Sequence, residues 1–397
     1  MADRVPPRDL DWIVSVDDHV LEPPNVWQDR IPARYRDDAP RIVSTERGDR
    51  WLYLGKEIPI TGLQAVIGRD KEDFSNEPIS YSDMRPGCYD PKARLADMDT
   101  DRVLASMCFP SFPRFCGQTF YEGPDKDLGL LCVKAYNDWM IDEWSASAPG
   151  RFIPLVLIPL WDPVAAAAEM GRCAAKGAKA IAFSENPAPL GLPSIHSADG
   201  YWDPVFRAAE ETGLAVCTHI GSSSKLPKPA EDAPHIISTA LTPMNAVTTL
   251  VDWVFSGNLI RFPQLKLCLS EGGIGWVPYV LERADDTWDK QRWWSTREGT
   301  LRREVLDMKP SEQFRRQVYT CFIDDAHGVR SLDEIGIDNV MIETDYPHSD
   351  STWPNSLPIA RKALADRTAE EQWLILQGNA RRVFDFEPAT PPETASA

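Results

Sequence analysis

The feature that most restricts this chain is an alternation. Eight short β-branched or apolar runs occur at residues 12–16, 103–109, 152–160, 178–183, 214–218, 265–270, 318–323 and 340–344. Polar loops follow them, and longer stretches of helical character fill the intervals, with helices predicted over 127–147, 163–176, 202–212, 243–256 and 358–366. A strand that leads through a helix to another strand is the order that parallel pairing demands, because a parallel neighbour is reached only by a crossover.

Eight such units predict an α/β chain folded as a (β/α)8 TIM barrel over residues 1–386. The length of 397 residues suits one barrel carrying insertions. The segment 23–98 breaks the alternation: it is rich in Pro, Gly, Arg and Asp, with one strand-like piece at 51–54, and it reads as an N-terminal insertion or lid. A second irregular stretch, 221–241, follows the fifth strand, giving extended loops at the C-terminal face where a barrel builds its site. The Pro-, Thr- and Ala-rich tail, 387–397, is expected to be disordered.

Net charge narrows the partners. With 42 Lys and Arg against 60 Asp and Glu, the chain carries a formal charge of −18, which argues against a nucleic-acid partner. No Gly-rich nucleotide-binding signature occurs; the run E-G-G-I-G-W at Glu271–Trp276 lacks the spacing. The eight cysteines form no C-x-x-C pair and several fall inside apolar runs, so they read as reduced, buried thiols. Residues 1–10 have no apolar leader core, and no stretch of about eighteen apolar residues appears. A cytoplasmic protein without a membrane partner is expected, acting on a small molecule.

Chemistry-bearing residues collect at the strand ends. The first strand closes in V-S-V-D-D-H-V, and alternation puts Asp17 and His19 on one face with Asp18 on the other. Glu185 follows the fourth strand, His219 ends the fifth, Glu271 follows the sixth and Asp345 follows the eighth. Four carboxylates at one barrel mouth repel unless cations sit among them, so the set itself argues for metal. Glu185 is read either as a carboxylate bridging two ions or as an ion-pairing residue heading its loop. Glu343 shares a strand face with Asp345 and needs a partner if it points inward. His348 either touches substrate or supports a ligand. His235 either lines the pocket or lies on a surface loop. Arg114, in S-F-P-R-F-C-G-Q after the second strand, could anchor a substrate carboxylate through a bidentate contact or serve a salt bridge.

Taken together, D-D-H-V-L-E-P-P, F-S-E-N-P, T-H-I-G, S-E-G-G-I-G-W, E-T-D-Y-P-H and G-N-A-R-R-V-F resemble the amidohydrolase superfamily, in the branch containing aminocarboxymuconate-semialdehyde and γ-resorcylate decarboxylases. The resemblance covers nearly the whole chain. It implies that Asp17 and His19 form the first-strand ligand pair, His219 the fifth-strand ligand and Asp345 the eighth-strand carboxylate. It also implies one or two divalent ions (zinc, manganese or iron) and a homodimer. Two departures stand out: the first-strand pair is D-x-H rather than H-x-H or E-x-H, and the sixth strand carries Glu271 where the branch usually has His.

These departures order the expected activities. The decarboxylases use the sixth-strand His near the reacting centre, whereas hydrolysis needs only a cation-activated water and a proton carrier, for which Asp345 is placed. Hydrolysis of an amide, ester or thioester-like carbonyl is therefore expected first, with Asp345 and Glu271 catalytic. Decarboxylation of an aromatic or unsaturated acid comes second, and a non-catalytic binding protein on the same barrel third.

Overall fold

All eight apolar runs form strands in the computed structural model, which describes residues 9–392. In chain order the strands are β1 (Ile13–Val20), β2 (Arg41–Thr45), β3 (Gly48–Tyr53), β4 (Lys56–Pro59), β5 (Val103–Pro110), β6 (Phe152–Ile153), β7 (Leu155–Val156), β8 (Ala180–Ser184), β9 (Ala215–His219), β10 (Leu267–Ser270), β11 (Val318–Phe322) and β12 (Val340–Ile342). Pro154 divides the third apolar run into β6 and β7, because proline has no N–H to give a ladder. Each barrel strand is buried along its whole length, as expected where helices cover one face of a parallel sheet and side chains fill the other.

The strands run in sequence order around the barrel. One parallel sheet is β1-β5-β6 and the other β7-β8-β9-β10-β11-β12, with the interrupted β6/β7 strand shared between them. No regular ladder joins β12 to β1 among the described residues. Instead the chain just past β12 bridges the gap, with Asp345 N–H donating to the Asp17 carbonyl (3.0 Å) and His19 N–H donating to the Tyr346 carbonyl (2.6 Å).

The crossover helices begin where their sequences say they should. Asp162 accepts hydrogen bonds from Val164 N and Ala165 N, and Pro163 occupies the first turn of the helix Pro163–Ala175, where its missing N–H costs nothing. That helix buries Ala166, Met170 and Cys173 against the barrel. The eight cysteines are free and buried. No helix among the described residues is long and apolar enough to cross a membrane.

The inserted segment is more ordered than its composition suggests. Where one strand-like piece was expected, β2, β3 and β4 form an antiparallel meander, and the helix Pro91–Asp101 returns the chain to β5. The β3–β4 hairpin turns through Leu54 and Gly55, both with positive φ (50° and 75°), as a two-residue type I′ turn requires. Alternate residues of β3 face inward, so Trp51 packs against Phe112 (ring centroids 4.8 Å) and Trp27 (5.1 Å), fastening the sheet over the barrel mouth. Within the tail, Ala389 N–H donates to the Gly150 carbonyl (2.9 Å), so residues 387–392 begin against the barrel; residues 393–397 lie outside the described range, as do 1–8.

Candidate metal centre

The first strand delivers its two groups as alternation requires. Asp17 and His19 face the barrel axis, fully buried, while Asp18 turns away and is consumed structurally. Asp18 accepts from Thr344 Oγ1 (2.5 Å), Tyr346 N (3.0 Å) and the Ser106 hydroxyl. Behind the strand lies Arg94, a completely buried guanidinium that donates to the Gly87 (2.7 Å) and His19 (2.5 Å) carbonyls and stacks over Tyr346 (4.1 Å). Nothing in the sequence reading singled it out; its one signal is an Arg inside a helix that otherwise buries Asp97, Met98 and Asp101.

Three further strand ends aim at the same point. His219 closes β9, and its Nδ1 contacts the Ile220 carbonyl (2.6 Å), which orients the ring so that Nε2 faces the barrel mouth. That Nε2 is 2.8 Å from Glu271 Oε2 and 3.6 Å from Asp17 Oδ2. His19 Nε2 is 3.2 Å from Asp345 Oδ1 and 3.6 Å from Asp17 Oδ1. Glu271 and Asp345 both hold left-handed backbone conformations (φ 56° and 50°), disfavoured for residues with a Cβ, and this local strain swings their carboxylates inward.

Ligand-type atoms fall into two groupings that share His19. One contains Asp17, His19 and His219; the other contains His19, Glu271, Asp345 and His348. The division expected from sequence, with Asp17, His19 and Asp345 on one ion and His219 with Glu271 on another, is not the one the distances give. His348 enters the second grouping with its Nδ1 3.2 Å from Asp345 Oδ1, and its ring stacks on His19 at 3.7 Å.

Buried polar atoms without partners show what the centre lacks. Both carboxylate oxygens of Asp17 and of Asp345, both nitrogens of His19 and Nε2 of His219 are buried and make no hydrogen bond. Uncompensated buried ions cost several kcal/mol each, and a divalent cation removes that cost directly. Burial, then the Glu343, Glu271, Asp345 and Asp18 carboxylates, push the Asp17 carboxyl well above its usual range. Burial, with His348 and His219 nearby, pushes the His19 imidazole well below its usual range, so it is neutral and has a lone pair to give. A mixed nitrogen and oxygen donor set of this kind fits a divalent transition metal.

Two carboxyls reach other solutions. Glu343 accepts from Cys321 Sγ (2.7 Å) and from Glu271 N (3.1 Å), and burial raises its pKa to about 8. Glu185 belongs to neither grouping. Its Oε1 accepts from Ser223 N (3.1 Å), Ser223 Oγ (2.6 Å) and Asn245 Nδ2 (2.9 Å), while Oε2 is buried without a partner. Three donors from the loop and helix after β9 thus hold Oε1 alone.

A cavity of about 430 Å³ opens over the centre. Its wall includes His219, Glu271, Asp345 and His348, and also Arg114 and His235, so all three residues expected to meet substrate border it. Arg114 Nη1 donates to Glu122 Oε1 (2.9 Å) and Nη2 to Ser224 Oγ (2.5 Å); it carries a salt bridge while facing the cavity. His235 begins the short helix His235–Leu241 and is exposed. Phe115, which the sequence reading passed over, stacks on His219 at 3.9 Å and gives the cavity a flat aromatic wall. On Asp345, burial opposes the His348 imidazolium but the carboxylate outweighs it, and the His348 pKa is raised.

The family model described as Amidohydrolase matches residues 19–386. The chain is 24% identical over 314 residues to 2-amino-3-carboxymuconate-6-semialdehyde decarboxylase of Dictyostelium discoideum, covering 78% of this chain and 80% of that one. It is 27% identical over 292 residues to γ-resorcylate decarboxylase of a Rhizobium species, covering 67% and 80%. Among solved structures, an amidohydrolase from Mycobacterium avium subsp. paratuberculosis shares the fold with a TM-score of 0.73 at 20% identity, covering 96% of this chain and all of that one. A 5-carboxyvanillate decarboxylase from Novosphingobium aromaticivorans, solved with bound manganese and a nitrobenzoic acid, aligns with a TM-score of 0.67 at 15% identity, covering 94% and 97%. These relatives overturn the expectation of hydrolysis, since those matched in sequence are decarboxylases. That expectation leaned on Glu271 standing where a His was expected, yet the structure supplies another imidazole, His348, at the same centre.

Proposed function

Because the chain belongs to the amidohydrolase family, matched over residues 19–386, we propose that it is a metal-dependent carboxy-lyase that removes carbon dioxide non-oxidatively from an aromatic or unsaturated carboxylic acid. The observation that carries this reading is the convergence of Asp17, His19, His219 and Asp345, buried and unpartnered, beneath a cavity with one aromatic wall. Asp17, His19, His219, Glu271 and Asp345 would hold the ion, manganese or another divalent metal. When bound, the ion supplies positive charge that orients the acid's oxygens and stabilises negative charge developing on the substrate.

The chain's own groups divide the remaining work. Arg114 offers a guanidinium to the substrate carboxylate, and Phe115 with Leu226 lays an apolar surface along the ring. The pair Asp345 Oδ1 and His348 Nδ1 holds a proton beside the cavity. That proton passes to the carbon bearing the carboxylate, the carbon–carboxylate bond breaks with its electrons left on that carbon, and neutral carbon dioxide departs. Inserted-segment residues Leu63 and Gln64 also line the cavity.

The test is turnover in deuterated water by manganese-loaded protein, on a panel of hydroxylated aromatic and unsaturated acids labelled with ¹³C in the carboxyl group. Labelled carbon dioxide with one deuterium at the vacated carbon supports the reading. Turnover of esters or amides in the same preparation, with no carbon dioxide from any acid, overturns it.

A further inference from the structure

Beside the metal-side cavity lies a second one that the chemistry above does not use. It measures about 500 Å³ and sits between the inserted sheet and the loop after β5. Trp51, Tyr53 and Ile58 from β3 and β4 form one wall, and Ser111 and Phe112 form the other. Gln64 and Arg114 border both cavities, so the two chambers share a partition of two flexible polar side chains.

Two features point to an occupant. Tyr53, only 4% exposed, has a hydroxyl that is buried and makes no hydrogen bond, and the Ser111 hydroxyl is likewise buried and unpartnered. Buried hydroxyls are normally satisfied, so a pair left open on facing elements of one chamber marks a place for a polar atom from outside the chain. The chamber's two acids are already engaged: Glu22 has an oxygen on each of Ser111 N (3.0 Å) and Phe112 N (2.9 Å), and Glu122 pairs with Arg114 (2.9 Å). Of its two cations, Arg114 is held in that pair and Lys56 is exposed. An anionic head group therefore finds its counter-charges on the metal side, and the chamber suits a flat, neutral, apolar body.

We propose that the substrate is longer than a single-ring acid: its carboxylate occupies the metal-side cavity, and an apolar, ring-bearing extension with a hydroxyl or carbonyl oxygen passes Arg114 into the chamber, where Tyr53 and Ser111 bind that oxygen. This deepens the carboxy-lyase reading and rests on it for the placement of the carboxylate. Each cavity alone has the size of a small-molecule site, and each has aromatic side chains in its wall, Trp51, Tyr53 and Phe112 in the chamber and Phe115 on the metal side.

Isothermal titration of the manganese-loaded protein with benzoic acid, biphenyl-4-carboxylic acid and 4′-hydroxybiphenyl-4-carboxylic acid tests the assignment. The biaryl acids should bind about tenfold or more tightly than benzoic acid, as burial of a second ring predicts. Tyr53→Phe should erase the advantage of the hydroxylated over the plain biaryl, roughly threefold to tenfold, and not the advantage of either over benzoic acid. Ile58→Trp, which fills the chamber from the exposed strand β4, should bring the biaryl-to-benzoate ratio near one, with circular dichroism confirming the fold. Equal affinity for all three acids in wild-type protein, or a ratio untouched by both substitutions, overturns the chamber assignment. Tight biaryl binding without carbon dioxide release from any acid defeats the carboxy-lyase reading alone, and release from single-ring acids with no biaryl preference defeats the chamber alone.

Discussion

Asp17 in β1 and Glu22 just past its end are both fully buried, yet their surroundings answer the same electrostatic problem in opposite ways. Glu22 is served by the chain itself: two backbone N–H groups from the loop after β5 take its two oxygens, and burial raises its pKa to about 7. Asp17 meets no donor at all and is surrounded by other acids. The fold completes one carboxyl with its own backbone and leaves the other without a hydrogen-bond donor.

The largest effect should come from deleting the unfinished side of this comparison. Asp17→Ala with His19→Ala should empty the centre and lower activity on the order of a thousandfold, read by elemental analysis and turnover. Retained metal in that double variant would break the contrast outright. Glu271→Gln keeps the shape and removes one charge, and should weaken metal binding by roughly 10- to 100-fold while the fold persists; an unchanged affinity would make Glu271 a bystander.

Glu22 offers the opposite case, a pH effect without a metal effect. Its folded pKa of about 7 lies above the ordinary 4.5, so the stability linked to it is complete below about pH 4.5 and is lost as pH rises through 7. A Glu22→Gln variant cannot ionise, and its melting temperature should vary less with pH across that window, the difference being on the order of 3 kcal/mol. Parallel melting curves for variant and wild type across pH 4.5–7 would remove Glu22 from the account. The smallest effect belongs to the partition. Gln64 accepts from Thr61 N (3.0 Å) in a capping box, and Gln64→Ala should cost about 1 kcal/mol in thermal melts with metal content unaltered.

What the residues announced and what they concealed follow from the same distinction. Barrel strands are buried on both faces, so their apolar runs stand out, and the groups placed just past them, Asp17, His19, His219, Glu271 and Asp345, lie together at the barrel mouth in the two candidate ligand groupings. The strands β2 and β4 are half-exposed edges with charged residues among them, and their pattern resembles loop. Glu185 stands outside both ligand groupings, and Ser223 and Asn245, which hold its Oε1, are distant in sequence. His348 lies three residues past Asp345, and only the folded turn brings its ring onto His19. The choice of reaction failed for a related reason, since one substituted position was made to stand for a whole proton-transfer apparatus.

The bridge between β12 and β1 has a consequence beyond architecture. Asp17, His19 and Asp345 close the ring through their backbones, while their side chains belong to the two ligand groupings that share His19, so ion binding and ring closure are expected to be coupled. By mass action, an ion that binds only the closed ring and is present at a thousandfold excess over its dissociation constant adds about 4 kcal/mol to stability. Amide exchange at His19 and Asp345 should then slow as the ion is titrated in.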